Sequence, residues 1–376
     1  MKKGFIMTLA LSLSLACTAA GLAAPVEFTG DFRLQGRSLD DNITHPESWA
    51  NKDSFFQFRA RLNFTGRMDK NTAFFARFSA RNDFGGASAS DTGLDHYGVK
   101  LTSGSWKFSV GRQAVTLGKG TIIDTGYDAA GTTPLFDGVV AATRVGKVDI
   151  RIVGGKITAD GYPRMLAGTP PDCRWASNEF YGIDFSAKVA DNLTIGATLA
   201  QEKVDSSGYV PAAMTPDGVA PVRPADGTAW PARAVRSWAV NLQYDLSPNL
   251  AFNAEYTKSN KKALAFGDNK AYFLAATYSW DKDSFTVQYN RVGDFAVDPF
   301  ASGLGAAAYP LGGIGLYTPA LAFANSRYSG FTYSYNHEIS KMLSFHAVYM
   351  SLKKESPFIA AAGGDNEFAA GLVWKF

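Results

Sequence analysis

The chain has 376 residues, with 37 Lys and Arg against 34 Asp and Glu for a formal charge of +3, and only two cysteines. Near-neutrality excludes nucleic acid as a partner, because backbone binding needs a concentrated cationic surface, and so few cysteines exclude a small disulfide scaffold. Beyond the amino-terminal stretch no window approaches the roughly 18 continuous apolar residues of a membrane helix, yet aromatics make up 13% of the chain, a combination suited to transmembrane strands.

At the amino terminus, Lys2 and Lys3 precede an apolar run from Phe5 to Ala16, followed by the small residues Thr18, Ala19, Ala20, Gly21, Ala23 and Ala24. This is the pattern of a secretory signal peptide, with cleavage expected between Ala23 and Ala24. Residues 1–23 would be removed and 24–376 would form one domain. The apolar run is too short to span a roughly 30 Å hydrocarbon layer as an anchor. Lipoprotein processing at Cys17 is disfavoured by Ser14, where a leucine would be expected. Cleavage removes two lysines and no acid, so the charge falls from +3 to +1. It also leaves Cys173 without a partner, and this residue reads as a surface position rather than a redox centre.

The mature segment opens with alternation at period two, the strand signature. Val26, Phe28, Gly30, Phe32 and Leu34 face one way, and Glu27, Thr29, Asp31, Arg33 and Gln35 the other. The next segment sets Phe56, Phe58, Ala60, Leu62 and Phe64 against Gln57, Arg59, Arg61, Asn63, Thr65 and Arg67. Register is ambiguous at 111–114 and 136–144, where a bulge at Gly111 is expected to turn Arg112 toward the polar side, since one extra residue flips every later side chain. Further apolar stripes run through Tyr181, Ile183 and Phe185; Trp238, Val240, Leu242 and Tyr244; Leu250, Phe252, Ala254 and Tyr256; Tyr272, Leu274, Ala276 and Tyr278; and Phe331, Tyr333 and Tyr335. The chain closes on Phe368, Ala370, Leu372, Trp374 and Phe376 along one face and Glu367, Ala369, Gly371, Val373 and Lys375 along the other. Such an ending suits a barrel whose last strand must be paired in hydrocarbon better than the frayed polar tail usual in soluble domains.

The connections alternate strictly. Short turns are expected at Asp69-Lys70, Ser103-Gly104, Gly146-Lys147, Asp191-Asn192, Ser247-Pro248-Asn249, Asp281-Lys282-Asp283 and Ser340-Lys341. Long polar or Gly/Pro-rich stretches fall near 39–53, 84–94, 116–135, 158–177, 205–234, 260–269, 293–326 and 354–365. Tight turns on one side and large loops on the other describe a transmembrane barrel with periplasmic turns and extracellular loops, here of about sixteen strands.

This all-β architecture of alternating strands, asymmetric connections and a terminal Phe376 with Trp374 and Leu372 resembles the sixteen-stranded Gram-negative outer-membrane porins. Gly111-Arg112-Gln113 followed by Phe136-Asp137-Gly138-Val139 also resembles segments of porin-like families. The resemblance implies an outer-membrane homotrimer of water-filled barrels, each narrowed by a third loop folded inside. It also implies a carboxy-terminal signal at Leu372, Trp374 and Phe376 read by the barrel-assembly machinery.

On this register the first seven strands would present Arg33, Arg59, Arg61, Arg67, Arg77, Arg81, Lys100, Lys107 and Arg151 inward against Glu27, Asp31 and Asp149. From the eighth strand the inward charges would be Lys188 and Lys375 against Asp184, Glu202, Asp245, Glu255, Glu338 and Glu367. One wall is cationic and the other mildly anionic. The expected basic side of the constriction is Arg33, Arg59, Arg61, Arg77, Arg81 and Arg112. By resemblance, the third loop at 116–135 would set Asp124 and Asp128 opposite it. Opposed charges across a narrow hydrated gap orient dipolar solutes and bias ion choice, and guanidinium stays charged beside its neighbours.

Signals for catalysis, a metal or a cofactor are poor. None of His45, His96, His337 and His346 has metal-ligand spacing to another His or Cys, and there is no Gly-x-Ser-x-Gly elbow or phosphate-cradling loop. The sequence therefore points to passive diffusion of small hydrophilic solutes and ions across the outer-membrane lipid. One alternative is a solute-selective channel binding anions on the basic wall. Another is a hydrolase on the outer rim, which His45 beside Asp40 and Asp41 could imitate.

Overall fold

The computed structural model describes residues 26–41, 52–84, 90–125, 135–158, 178–204, 233–260, 268–293, 296–297, 328–354 and 364–376. The signal segment 1–23, Asp128, Cys173 and His45 lie outside them. The strands are β1 (Val26–Asp41), β2 (Lys52–Arg67), β3 (Thr72–Phe84), β4 (Ser90–Ser103), β5 (Trp106–Gln113), β6 (Val115–Thr116), β7 (Asp124–Thr125), β8 (Leu135–Val145), β9 (Val148–Thr158), β10 (Asn178–Ala190), β11 (Leu193–Val204), β12 (Arg233–Ser247), β13 (Leu250–Ser259), β14 (Lys270–Trp280), β15 (Asp283–Val292), β16 (Tyr328–Glu338), β17 (Leu343–Lys354) and β18 (Gly364–Lys375). Sixteen of them, all but β6 and β7, form one closed antiparallel barrel in which each strand pairs with its sequence neighbour, and β1 pairs with β18 to close the ring. Among the described residues no helix is long and apolar enough to cross a membrane.

The alternation explains the ring. Phe28, Phe32, Leu34, Phe56, Leu274, Tyr278, Phe368, Leu372 and Trp374 are exposed on the outer surface, while their sequence neighbours Arg33, Gln35, Gln57 and Ala369 are buried on the inside. A closed ring leaves no unpaired edge, so the backbone polar groups of the spans find their partners within the sheet. Closure runs to the last residue. Gly30 and Phe376 exchange backbone hydrogen bonds of 3.0 and 3.1 Å, and the Phe376 ring lies 5.5 Å from Phe32 and 6.0 Å from Trp374.

The tight turns fall where the sequence places them. Those at Gly104 and Gly146 use positive φ of 58° and 60°, and Asp281 adopts φ 46° in its own turn. This left-handed backbone suits glycine and is tolerated by aspartate. All eight gaps between barrel strands on the opposite side coincide with the predicted long connections. One of these re-enters the barrel, where β6 and β7 form a two-stranded hairpin packed against inward-facing side chains.

Two expectations about register change. The ladder runs unbroken through Gly111, pairing Tyr97 with Arg112 and Gly98 with Gly111, so no bulge turns Arg112 inward. It stays on the outer face with Tyr97, over whose ring its guanidinium sits at 5.8 Å, and with Val110 and Val139. Besides shifts beside the turns at Ala190 and Ser247, an irregularity lies between β3 and β4, where Arg77 pairs with His96 and Phe78 with Leu94, leaving Asp95 as the extra residue. That bulge delivers both Asp95 and His96 to the inside of the barrel.

Candidate functional site: the charged bore and its inner loop

The register aligns the arginines. Arg33 pairs with Arg59 and Arg59 with Arg81, so three guanidiniums stand in one row across β1, β2 and β3, with strands roughly 4.8 Å apart. The row below holds Asp31, Arg61 and Ser79, and the next brings in Arg77 opposite Asn63. Carboxylates stitch the rows together. Asp31 accepts from Arg59 at 2.9 Å and from Arg61 Nη2 at 2.7 Å. Asp95 accepts a bidentate pair from Arg77 at 2.7 and 2.8 Å and a third bond from Ser79 at 2.7 Å. Arg33 donates to Gln57 Oε1 at 2.7 Å. With Arg37 above, this wall carries six guanidiniums and two carboxylates among these described side chains. Charge-assisted, partly bidentate bonds fix the guanidinium planes, which is why so dense a like-charge patch is ordered.

The inner loop docks on the opposite wall. Its backbone N–H groups at Lys119 and Thr121 donate to the Glu255 carboxylate at 2.7 and 2.9 Å, and Gly118 N–H donates to Asp184 at 3.1 Å. The Thr121 hydroxyl also bonds Glu255 and Thr257, Lys119 Nζ donates to Gln243 at 3.0 Å, and Arg151 donates to the Thr116 carbonyl at 2.6 Å. Beneath these bonds Val115, Leu117, Ile122 and Ile123 pack against Phe136, Val153, Ile157, Phe180 and Ala239. Gly118 is required at the tip. Its φ is +59°, and a Cβ there would come within 2.3 Å of Glu255 Oε2 and 2.9 Å of Thr198 Oγ1. Gly182 leaves the slot into which Leu117 fits, since a Cβ would lie 2.5 Å from the Leu117 side chain.

Placed on this frame, the predicted residues divide. Arg33, Arg59, Arg61, Arg77 and Arg81 come together on the inner wall. Arg112 does not join them; it is bound bidentately to Asp137 at 2.7 Å on the outer face, because the expected bulge is absent. Asp124 is in the loop as expected, but its carboxylate accepts from Thr116 at 2.5 Å within the hairpin, and among the described residues Asp31 and Asp95 are acids that meet the arginines. Burial pushes the Asp124 carboxyl up to about 6, with the Thr116 bond opposing. Burial also lowers the Lys119 ammonium against the pull of Glu255 and Asp245. Asp95 is hidden from sequence reasoning by its bulge, which no residue type announces. Glu255 and Asp184 are legible as inward acids, but their role as seats for the loop is not.

A family description for Gram-negative porins matches residues 9–356, nearly the whole chain. The chain belongs to the Gram-negative porin family. No curated protein matches this porin's sequence. Among solved structures it is similar to the outer-membrane-expressed OmpT of Vibrio cholerae, with 15% identity over 94% of this chain and 98% of that one and a TM-score of 0.56. An in-vitro folded trimer form of OmpT gives 13% identity, 94% and 100% coverage and a TM-score of 0.56. A mutant of the Rh. blastica porin gives 11% identity, 94% and 100% coverage and a TM-score of 0.53. At such identities these likenesses speak for the barrel fold. The porin family places the protein in the Gram-negative outer membrane as a channel.

Proposed function

We propose that this porin is a passive diffusion channel for small hydrophilic solutes and ions that prefers anions, exported with cleavage after Ala23 and working without a catalytic step or cofactor. The observation that carries the reading is the inner wall of β1 to β3, where Arg33, Arg37, Arg59, Arg61, Arg77 and Arg81 stand together among the described side chains, with Asp31 and Asp95 bound to some of them. Much of the anionic side of the bore is occupied otherwise, since Glu255 and Asp184 hold the inner loop. The described side chains of this wall are predominantly cationic, and rings of like charge bias which ion enters. In this reading Arg33, Arg59, Arg61, Arg77 and Arg81 form the basic face of the constriction, and the loop from Val115 to Thr125 narrows the bore from the other side.

A homotrimer is part of the proposal, supported by the trimer form of the similar OmpT and by the outer-face pair Arg112–Asp137. At about 2.5 Å of height per tilted strand residue, Arg112 stands roughly 15 Å above the periplasmic turn, inside a hydrocarbon band about 25 Å tall. An arginine meeting lipid there costs about 2–4 kcal/mol, a cost avoided if a second copy covers this face. Leu372, Trp374 and Phe376, all on the outer surface of β18 and its end, are proposed as the signal read by the assembly machinery.

The test is recording in planar bilayers across a KCl gradient. Ohmic steps with a reversal potential on the chloride side are expected. An absence of steps from heat-modifiable, folded protein refutes the channel, and a reversal potential on the potassium side refutes the anion preference.

A further inference from the structure

The outer surface of the barrel differs from one side to the other. On β11 to β17 the outward residues nearest the extracellular ends include Lys203, Arg236, Lys258, Lys270, Arg291 and Lys353. Period two puts each on the lipid-facing side with a neighbouring aromatic, as in Tyr256 and Lys258, Lys270 and Tyr272, or Tyr289 and Arg291. Counted from their periplasmic turns at about 2.5 Å of height per tilted strand residue, the six stand roughly 22–30 Å up, at the extracellular edge of an apolar band about 25 Å tall. Beneath them runs a shelf of rings, with Trp238 5.5 Å from Tyr256, Tyr272 6.2 Å from Tyr289 and Tyr289 5.1 Å from Phe331. Such aromatics sit at headgroup level in a bilayer. At the same heights on β1 to β4 the described outward side chains include Ser38, Phe56, Asn82, Phe84 and Leu94, and none of them is charged.

The rim is also short of acids. Lys203 is bound to Glu179 at 3.3 Å, and Arg291 stands 3.9 Å from Asp268. Among the described residues Lys258, Lys270 and Lys353 make no ion pair. The register sharpens the imbalance. Lys258 lies directly opposite Lys270 across the β13–β14 ladder, and Arg291 and Lys353 flank Ser329 in one row of β15, β16 and β17. Like charges directly opposite each other destabilise a ladder, and an anion between them relieves the repulsion. Phosphate oxygens accept from ammonium and guanidinium donors of several strands at once. The surroundings select what carries the phosphate. Lys203, Arg236, Lys270 and Lys353 are exposed, as is Leu274, at 55%, on the band below. A molecule that seats its anionic group on these cations while lying along that band is a lipid.

We propose that the upper outer rim of β11 to β17 is a binding surface for phosphorylated lipids of the extracellular leaflet. The phosphate bridges Lys258 and Lys270, with Arg291 and Lys353 beside it, and the acyl chains run down past the aromatic shelf. The barrel then has two outer sectors of different chemistry. The face of Arg112 and Asp137, proposed above to meet a second copy, belongs to β5 and β8 and lies outside the basic rim, so assembly leaves the rim open to lipid.

The test is native mass spectrometry of the folded barrel, released from neutral detergent after incubation with phosphatidic acid, phosphatidylcholine or inorganic phosphate. Phosphatidic acid is expected to stay bound at concentrations where phosphatidylcholine does not. Lys258→Gln with Lys270→Gln should weaken its retention about thirtyfold, the effect of removing two basic residues beside an anionic headgroup. Lys107→Gln with Lys188→Gln takes the same charge from the inner wall and should leave retention unchanged. Should the rim pair fail to run as a folded barrel on an unheated gel, Arg291→Gln with Lys353→Gln should weaken retention in its place. Equal retention of the two lipids, an equal loss from the inner-wall pair, or no loss from a folded rim variant overturns the surface. Displacement of phosphatidic acid by an equimolar amount of inorganic phosphate also overturns it, because the cations then hold a free anion and not a lipid.

Discussion

The hold of Glu255 on the inner loop can be broken by one substitution. Glu255→Ala removes the acceptor for the backbone N–H groups of Lys119 and Thr121 and for the Thr121 hydroxyl. Hydrogen bonds to a charged group contribute about 1.5–3 kcal/mol each, so the two backbone bonds alone are worth about 3–6 kcal/mol to the docked loop. The lower figure corresponds to roughly a hundredfold more of the undocked state, at about 1.4 kcal/mol per factor of ten. The packing of Leu117, Ile122 and Ile123 against the wall remains, so the barrel should stay folded while the loop opens more often. Hydrogen exchange of the Lys119 and Thr121 amides reads that opening directly, and protection of both is expected to fall about a hundredfold. Glu255→Gln keeps one acceptor oxygen and should fall between the variant and the parent. If both amides keep their protection in a folded Glu255→Ala barrel, the apolar contacts hold the loop unaided and the carboxylate seat is irrelevant.

Reversing the basic wall should reverse ion choice: Arg59→Glu with Arg61→Glu is expected to move the reversal potential in a KCl gradient toward potassium, and an unmoved potential counts against a constriction at these residues. Asp124 supplies a pH dependence. Its carboxyl is raised from 3.8 to about 6 in the docked hairpin, so docking favours the protonated form. The contribution of Asp124 to docking should be full below 3.8 and should be lost as pH climbs from there to about 6, levelling off above. The total loss is up to about 3 kcal/mol, at about 1.36 kcal/mol for each tenfold fall in proton activity across that window. Exchange of the loop amides, corrected for intrinsic rates, should therefore quicken from about pH 4.5 to about pH 6.5, and Asp124→Asn should flatten that trend. Asp137→Asn strips the outer-face Arg112 of its charged partner, and trimers on unheated gels should then dissociate at lower temperature; an unchanged dissociation temperature places the protomer contact elsewhere.

The barrel is legible in the sequence because its physics is local. Alternation such as Phe56-Gln57-Phe58-Arg59 assigns faces without knowledge of any partner strand, and turns at Gly104 and Gly146 announce themselves by residue type. What escapes is set by pairing between strands. Whether Arg33, Arg59 and Arg81 share a row depends on two ladders. Asp95 reaches the bore through a bulge that neither Arg77 nor Leu94 signals. Arg112 defeats the expectation because Gly111, with φ +134°, bends the chain without adding a residue to the ladder. Resemblance is enough to put the loop inside, but its seat is chosen by complementarity between its own N–H groups and the acids of β10 and β13, partners remote in sequence. One clue does lie in plain view. The stretch Val348-Tyr349-Met350-Ser351-Leu352 is apolar on its inward positions as well as carrying Tyr349 outward, and a strand facing only water on its inner side has no need of that.

The loop tip and its seat are separated by 136 residues between Lys119 and Glu255. Until β13 stands in the ring, the hairpin has nothing to grip on that side, whatever the order in which the strands are laid down. The calibre of the pore is accordingly a property of the finished ring rather than of the segment that narrows it.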